Sequence, residues 1–130
     1  MIMDQANGVG GLINQPDDDA TTRLAEALLN LRRRDLDLRR SAVGVLLELR
    51  AVPELIETMH TNEHWFIRMA AAQALGQLGD ARAMPHLEQV LYNTHDKWFA
   101  FDAAVALTQI GTPEALDALH VFRESLRRES

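Results

Sequence analysis

The chain has 130 residues, 47% of them hydrophobic and 25% charged, a composition typical of one globular domain rather than a low-complexity chain. It contains no cysteine, which excludes disulfides, thiolate metal sites and a cysteine nucleophile. The net charge of -6 disfavours a surface that tracks nucleic-acid phosphates, because such surfaces need clustered lysine and arginine. The absence of cysteine fits a reducing cytoplasm, and we expect a cytoplasmic domain that does not bind nucleic acid.

The first residues differ in composition from the rest of the chain. Residues 1–18 are rich in glycine and acidic residues and contain no base, so we expect a disordered tail there and one folded domain over 19–130. The tail lacks the basic and apolar regions of a signal peptide. No later stretch reaches the roughly 18 apolar residues that a membrane-spanning helix needs. We therefore expect no contact with a membrane.

From Asp19 onward, apolar residues recur at steps of three and four, the spacing of one face of a helix. This pattern predicts a first helix from about Asp19 to near Arg34. A second series runs over 38–49, and a third, short one follows Pro53. Strand-like alternation is absent, so the sequence predicts an all-α fold.

The chain also repeats itself. The segment RMAAAQALGQLGDARAMPHL (68–87) aligns with AFDAAVALTQIGTPEALDAL (100–119) at a shift of 32 residues, and RSAVGVLLEL (40–49) is a weaker copy. The pairs Trp65-Phe66 and Trp98-Phe99 align at a shift of 33 instead, which predicts a one-residue difference in the turn between repeats.

The pattern predicts that each repeat forms a helix, a tight turn and a second helix. Gly79 and Gly111 follow the last apolar residue of a helix, where a left-handed conformation ends it. Asp80 and Thr112 then stand where a second helix needs a cap, and Pro113 suits its first turn. Because one small pair of helices cannot bury its apolar face alone, we expect an α-α superhelix of about three helix pairs plus an N-terminal helix.

The segment AAAQALGQLGD (70–80) closely resembles the HEAT-like repeat of the phycobilisome-lyase type, and Arg68 falls on the usual basic position of that motif. The resemblance implies a HEAT-like solenoid. Such repeats occur in bilin lyases and phycobilisome-degradation factors, in deoxyhypusine hydroxylase, and in scaffolds, so the resemblance by itself does not choose among these functions.

Catalytic motifs are missing from the sequence. Deoxyhypusine hydroxylases bind two irons through His-Glu pairs after the basic residue, where this chain has Met69-Ala70 and Phe101-Asp102. His60, Glu63 and His64 straddle a predicted turn, so their spacing does not imply a metal site. Glu54 and Glu57 share a helix face but flank no pocket that a sequence can reveal. We therefore expect no catalytic residue, no metal and no cofactor.

Two further groups leave alternatives open. The arginines of 32–40 form either a solvated helix end or a patch for an anionic partner. A patch of this kind would favour a DNA-repair function. In the two aromatic pairs, either one aromatic of each pair packs on the preceding repeat, or Trp65 and Trp98 stay exposed and form an aromatic ridge for a partner.

The second helices are expected to line the concave side, the usual binding surface of such solenoids. A helical wheel of 82–93, extended by the shift of 32, places six residues on the outward ridge: Glu57, Gln89, Tyr92, Asp117, Val121 and Glu124. These residues either recognise a partner or serve solubility alone.

These observations favour a noncatalytic scaffold whose acidic concave face holds a protein or peptide partner. The alternative is a bilin-lyase or phycobilisome-related factor that handles a tetrapyrrole on a biliprotein, and an enzymatic activity, if the chain has one, would be of that kind.

Overall fold

The computed structural model describes the chain from Pro16 to Glu129, with side chains from Asp19 onward. Over this part the chain forms seven α-helices, one 3-10 turn and no strand, so the all-α prediction is confirmed. The elements are α1 (Pro16–Asn30), α2 (Leu36–Glu48), α3 (Val52–Thr61), α4 (Trp65–Leu78), a 3-10 helix (Ala81–Ala83), α5 (Met84–Asn93), α6 (Lys97–Ile110) and α7 (Pro113–Glu129).

The helices form three consecutive pairs, α2/α3, α4/α5 and α6/α7. The second helix of each pair packs on the first helix of the next, and α1 packs on α2 in the same way. The helix α1 therefore takes the place of the second helix of a preceding pair. Fully buried residues such as Leu46, Leu55, Leu75, Leu87 and Leu107 run through all three pairs as one core. The expected solenoid of three pairs plus an N-terminal helix is confirmed.

All three first helices begin with the same kind of cap. The carboxylate of Asp35 accepts a hydrogen bond from the backbone N–H of Asp37 at 2.9 Å, and that of Asp96 accepts from the N–H of Trp98 at 2.9 Å. At the matching position in α4, Nδ1 of His64 accepts from the N–H of Phe66 at 3.1 Å. These bonds satisfy helix N–H groups that lack an intrahelical partner, and so fix where each repeat begins.

The turn after each first helix needs a left-handed residue. Gly79 and Gly111 have φ of 66° and 69°, as the sequence predicts. In the first pair the same position is Arg50, with φ of 55°. The first pair also lacks the short 3-10 helix Ala81–Ala83, which corresponds to its three missing turn residues.

Three predictions about boundaries and register need correction. The helix α1 begins at Pro16 rather than Asp19 and ends at Asn30 rather than near Arg34. The rest of the predicted tail, residues 1–15, lies outside the described residues. The helices α4 and α6 begin at Trp65 and Lys97, a shift of 32, so the one-residue difference in the turn is wrong. The caps set this register, and consequently Trp98 occupies the position of Phe66.

The stack is spaced unequally on its two sides. A Cβ added to Gly76 of α4 would lie 2.7 Å from the Cα of Ala106 in α6, so these first helices are in close contact. The second helices α3, α5 and α7 have much less backbone contact and meet through side chains. That the second helices line the concave side stays a prediction, and the surface they form is called the second-helix face below.

Candidate functional site: a groove on the second-helix face

A groove of about 720 Å³ opens between the C-terminal part of α1 and the helix α3. Leu28 and Leu31 contribute its apolar side, and Glu54 and Glu57 line it from α3. Glu63, in the linker after α3, closes one end. The groove therefore combines an apolar side with carboxylates, which is a suitable arrangement for a partner segment with both apolar and basic side chains.

The later second helices, α3 with α5 and α5 with α7, are joined by side-chain contacts. At the equivalent place between α1 and α3 the groove is open. Nε2 of His60 on α3 lies 3.1 Å from Nδ1 of His86 on α5, within hydrogen-bonding distance. At the equivalent positions one repeat later, the hydroxyl of Tyr92 donates to the carbonyl of Ala118 at 3.0 Å. Glu54 occupies the position equivalent to His86 and Ala118, and it faces the groove instead.

The charge of the groove is predominantly negative. Neither Glu54 nor Glu57 forms an ion pair with any residue that the structure describes. Glu63 accepts a hydrogen bond from Arg39 at 2.7 Å, and Arg32 lies at the edge of the groove. Two carboxylates are thus left without a cationic partner, and a basic ligand would supply one.

Asn62 anchors the linker that closes the groove. Its Nδ2 donates to the carbonyl of Leu31 at 3.2 Å, and its Oδ1 accepts from the N–H of His64 at 3.0 Å. Its own carbonyl accepts from Arg68 at 2.7 Å. These bonds connect the end of α1 with the start of α4, so the wall of the groove is held from both sides.

The arginines of 32–40 have separate roles. Arg39 is buried, and it donates to the carbonyl of Arg33, to Oδ1 of Asn62 at 3.0 Å and to Glu63. The guanidinium of Arg40 lies 5.3 Å from the ring centroid of Phe66, a cation–π contact. Neither alternative, a solvated helix end or a patch for an anionic partner, holds for Arg39, because its side chain is buried and bonded to Arg33, Asn62 and Glu63.

The six predicted ridge residues lie on the second-helix face but not in one site. Glu57, Gln89 and Val121 occupy equivalent positions on successive second helices and are exposed, as is Asp117. Only Glu57 reaches the groove. Glu124 forms an ion pair with Arg127 at 3.1 Å, which reduces the acidic character of α7.

Two of the polar side chains on this face have shifted pKa values. Burial, together with the charge of His86, lowers the pKa of His60 below its ordinary value of 6.5. Burial, together with the charge of Glu88, raises the pKa of Tyr92. The ring of Tyr92 packs edge-on against Phe122, so this residue is half-exposed but already engaged within the fold.

In each aromatic pair the phenylalanine is buried or half-buried and the tryptophan is exposed. Phe66 is half-buried beside Arg40 and Phe99 is buried, whereas Trp65 and Trp98 are 53% and 73% exposed. Both tryptophans are thus exposed, but they occupy different positions of their helices, so they do not repeat along the stack.

The three candidate metal ligands do not converge. His60 pairs with His86, Glu63 with Arg39, and His64 caps α4. Nowhere between residues 16 and 129 does a group of three histidine, aspartate or glutamate side chains have a geometry that could hold a metal.

Sequence reasoning noted the carboxylate pair Glu54 and Glu57 but missed Asn62, Arg39 and the groove itself. The three-residue spacing of the two glutamates was the available signal, since it places both on one side of α3. The apolar side of the groove comes from α1, whose position relative to α3 depends on tertiary packing.

Comparison with known proteins completes the assignment. No helix in the described part of the chain is long and apolar enough to cross a membrane. No curated protein matches the chain. The family model for HEAT repeats matches residues 10–107, which covers α1 to α5 and most of α6. Together with the stacked helix pairs, this match shows that the chain belongs to the HEAT-repeat family.

Proposed function

We propose that this protein is a noncatalytic scaffold that binds a basic segment of a protein partner on its acidic second-helix face, with the groove between α1 and α3 as the anchor. HEAT repeats are generally protein-interaction scaffolds, which supports the general class. The observation that carries the specific proposal is the pair of unpaired carboxylates, Glu54 and Glu57, beside the apolar wall of α1.

The groove suits a segment with an apolar residue next to lysine or arginine. Leu28, which is 38% exposed, offers apolar surface that the partner would remove from water. Glu54 and Glu57 would each accept charge-assisted hydrogen bonds from a cationic side chain. The two effects act on adjacent residues of the partner, so neither a purely apolar nor a purely basic segment would bind as well.

The predicted ridge extends the contact beyond the groove. Gln89 and Val121 continue the row that begins with Glu57, and Tyr92, Asp117 and Glu124 lie on the same helices. An extended segment anchored at the groove would cross α5 and α7 along this row. We expect these residues to contribute less than the groove, because Tyr92 and Glu124 already have partners within the fold.

Selection from a random peptide display library tests the proposal. Peptides enriched on the wild-type protein should combine lysine or arginine with an apolar residue. Binding of these peptides should fall at least about tenfold in Glu54→Lys/Glu57→Lys, since the variant presents like charges. The charge-matched control Glu114→Lys/Glu129→Lys, far along the sequence on α7, should retain binding. Enrichment of acidic peptides, or equal loss in both variants, would refute the groove as the anchor.

The tetrapyrrole alternative depends on the resemblance of 70–80 to the phycobilisome-lyase repeat. Titration with a linear tetrapyrrole, followed by visible absorbance, addresses it directly. A saturable spectral change would favour the lyase-related function. An unchanged spectrum, alongside peptide binding in the groove, would favour the scaffold.

A further inference from the structure

The helix α6 has an apolar stripe that nothing in the described chain covers. Trp98, Phe101 and Val105 are spaced at i, i+3 and i+7, so they lie along one face of the helix. They are 73%, 61% and 40% exposed. Thr108 continues the stripe and is also exposed.

Equivalent positions in the earlier repeats show what this face contacts. Val105 is equivalent to Gln73 of α4, whose Nε2 donates to Asp102 of α6 at 3.4 Å. Thr108 is equivalent to Gly76, which is buried against Ala106 of α6. Both positions therefore contact the first helix of the following pair.

The same relation holds for Phe101 of the stripe and for Leu116 of α7. Phe101 is equivalent to Arg40 of α2, which lies over Phe66 of the following first helix. Leu116 of α7 is equivalent to Met84, whose sulfur accepts a hydrogen bond from Thr112 in the following pair at 3.3 Å. Leu116 itself is 49% exposed. The uncovered surface is therefore the stacking face of the repeat.

We propose that this stacking face binds a second copy of the chain, with the two α6 helices antiparallel across a two-fold axis. The stripe from Trp98 to Thr108 contains no charge, so two copies can meet there despite the net charge of -6. Its spacing is that of an apolar seam between two helices, and the antiparallel arrangement also opposes the two helix dipoles favourably.

A head-to-tail stack fits the structure less well. The matching face at the other end surrounds Ser41 and Val45 of α2, and the helix α1 flanks it. Arg23 and Glu48 form an ion pair between α1 and α2. Contact with that end would bring Phe101 against charged groups, whereas contact between two stripes keeps apolar surface together. A two-fold contact also closes after two copies instead of growing into a filament.

Solution mass is the first test. Light scattering across a concentration series should show a mass that rises from 14.6 kDa toward about twice that value. Phe101→Glu should weaken the dimer at least about tenfold, because it would bury a carboxylate in an apolar seam. Leu29→Glu replaces an equally exposed residue, at 61%, on α1 and should leave the mass unchanged. A wild-type monomer at every concentration, or dissociation by both variants, would overturn the proposal.

The absence of cysteine from the sequence allows a clean test of symmetry. Ala104 is half-buried at the edge of the stripe, midway along it, and Ala104→Cys should cross-link to itself with a short bismaleimide. Ser41→Cys should not cross-link to itself. Cross-linking between a mixture of Ala104→Cys and Ser41→Cys proteins, without the Ala104→Cys homodimer, would replace the two-fold contact by a head-to-tail one. Circular dichroism of each variant establishes that it is folded. Neither test involves the groove, so their outcome is independent of the proposed partner binding.

Discussion

Nε2 of His60 and Nδ1 of His86 lie 3.1 Å apart and join the second helices α3 and α5. Tyr92 and the carbonyl of Ala118 make the equivalent contact between α5 and α7. The same two positions thus bridge consecutive second helices with different chemistry: an imidazole pair in one place and a phenol hydroxyl in the other. The imidazole bridge contains His60, whose pKa is lowered first by burial and then by the charge of His86, so acidification should act on the bridge between α3 and α5.

We expect the stability of the protein to fall as the pH drops below about 6.5. The pKa of His60 is lowered in the folded state, first by burial and then by His86, so the unfolded chain takes up a proton more readily. The contribution of His60 is therefore complete above 6.5 and is lost as the pH falls toward its folded pKa. Melting temperatures measured between about pH 8 and pH 5 should fall less steeply in His60→Asn. An unchanged slope in His60→Asn, matching the exposed control His95→Asn, would contradict this assignment.

Replacement of Arg39 should destabilise the protein without affecting any exposed basic surface. Arg39→Met removes three hydrogen bonds, to Arg33, Asn62 and Glu63, and should cost about 2 kcal/mol of unfolding free energy. Arg34→Met, at an exposed position, should cost less than about 0.5 kcal/mol. Urea denaturation of the two variants measures the difference, and equal midpoints would show that the Arg39 contacts contribute nothing.

Two helical glycines should respond in opposite ways to the same substitution. In Gly76→Ala the new Cβ would lie 2.2 Å from Oε1 of Gln109 and 2.7 Å from the Cα of Ala106, so the first helices must separate. We expect a loss of about 1 to 3 kcal/mol. In Gly44→Ala the Cβ meets nothing within 4 Å, and the better helix propensity should add about 0.5 to 1 kcal/mol.

Thermal or urea unfolding of both variants provides the measurement. Gly76→Ala/Gln109→Ala should remain destabilised, because shortening Gln109 does not move the backbone of Ala106. Full recovery in the double variant would show that the side chain alone, and not the close spacing of α4 and α6, limits this position.

Local signals carried most of what the sequence could predict. The repeat spacing and the turn glycines Gly79 and Gly111 fix the helix pairs, because a cap or a left-handed residue acts within a few positions of itself. Leu75 and Leu107 are buried as the apolar period indicates. The shift of 33 between the aromatic pairs gave the wrong register, because the match covers only two residues. The caps determine where each helix begins.

The site depends on distances between helices. Arg39 is buried through contacts with residues more than twenty positions away, and no periodicity in its own helix indicates them. The groove exists because α1 and α3 lie apart where the later second helices are bridged. The close contact of α4 with α6 at Gly76 and Ala106 is likewise not revealed by sequence spacing.

The left-handed Arg50 should be a point of stored strain in the first pair. It has φ of 55° at the position where the other pairs have Gly79 and Gly111, and its N–H donates to the carbonyl of Leu47 at 3.0 Å as the helix ends. A residue with a Cβ pays about 1 to 2 kcal/mol in this conformation. Glycine removes that cost but gives the unfolded chain more freedom, so the net gain for Arg50→Gly should be about 0.5 to 1 kcal/mol.

Two variants isolate the backbone effect. Arg50→Ala removes the long side chain but keeps the Cβ, so its stability should stay close to that of the wild type. Gly79→Ala makes the reverse change at a site where the new Cβ has no neighbour within 4 Å, and it should lose about 1 kcal/mol through φ alone. Midpoints of chemical denaturation compare Arg50→Gly, Arg50→Ala and Gly79→Ala with the wild type. If Arg50→Ala gained as much stability as Arg50→Gly, the arginine side chain rather than the left-handed backbone would be the source of the strain.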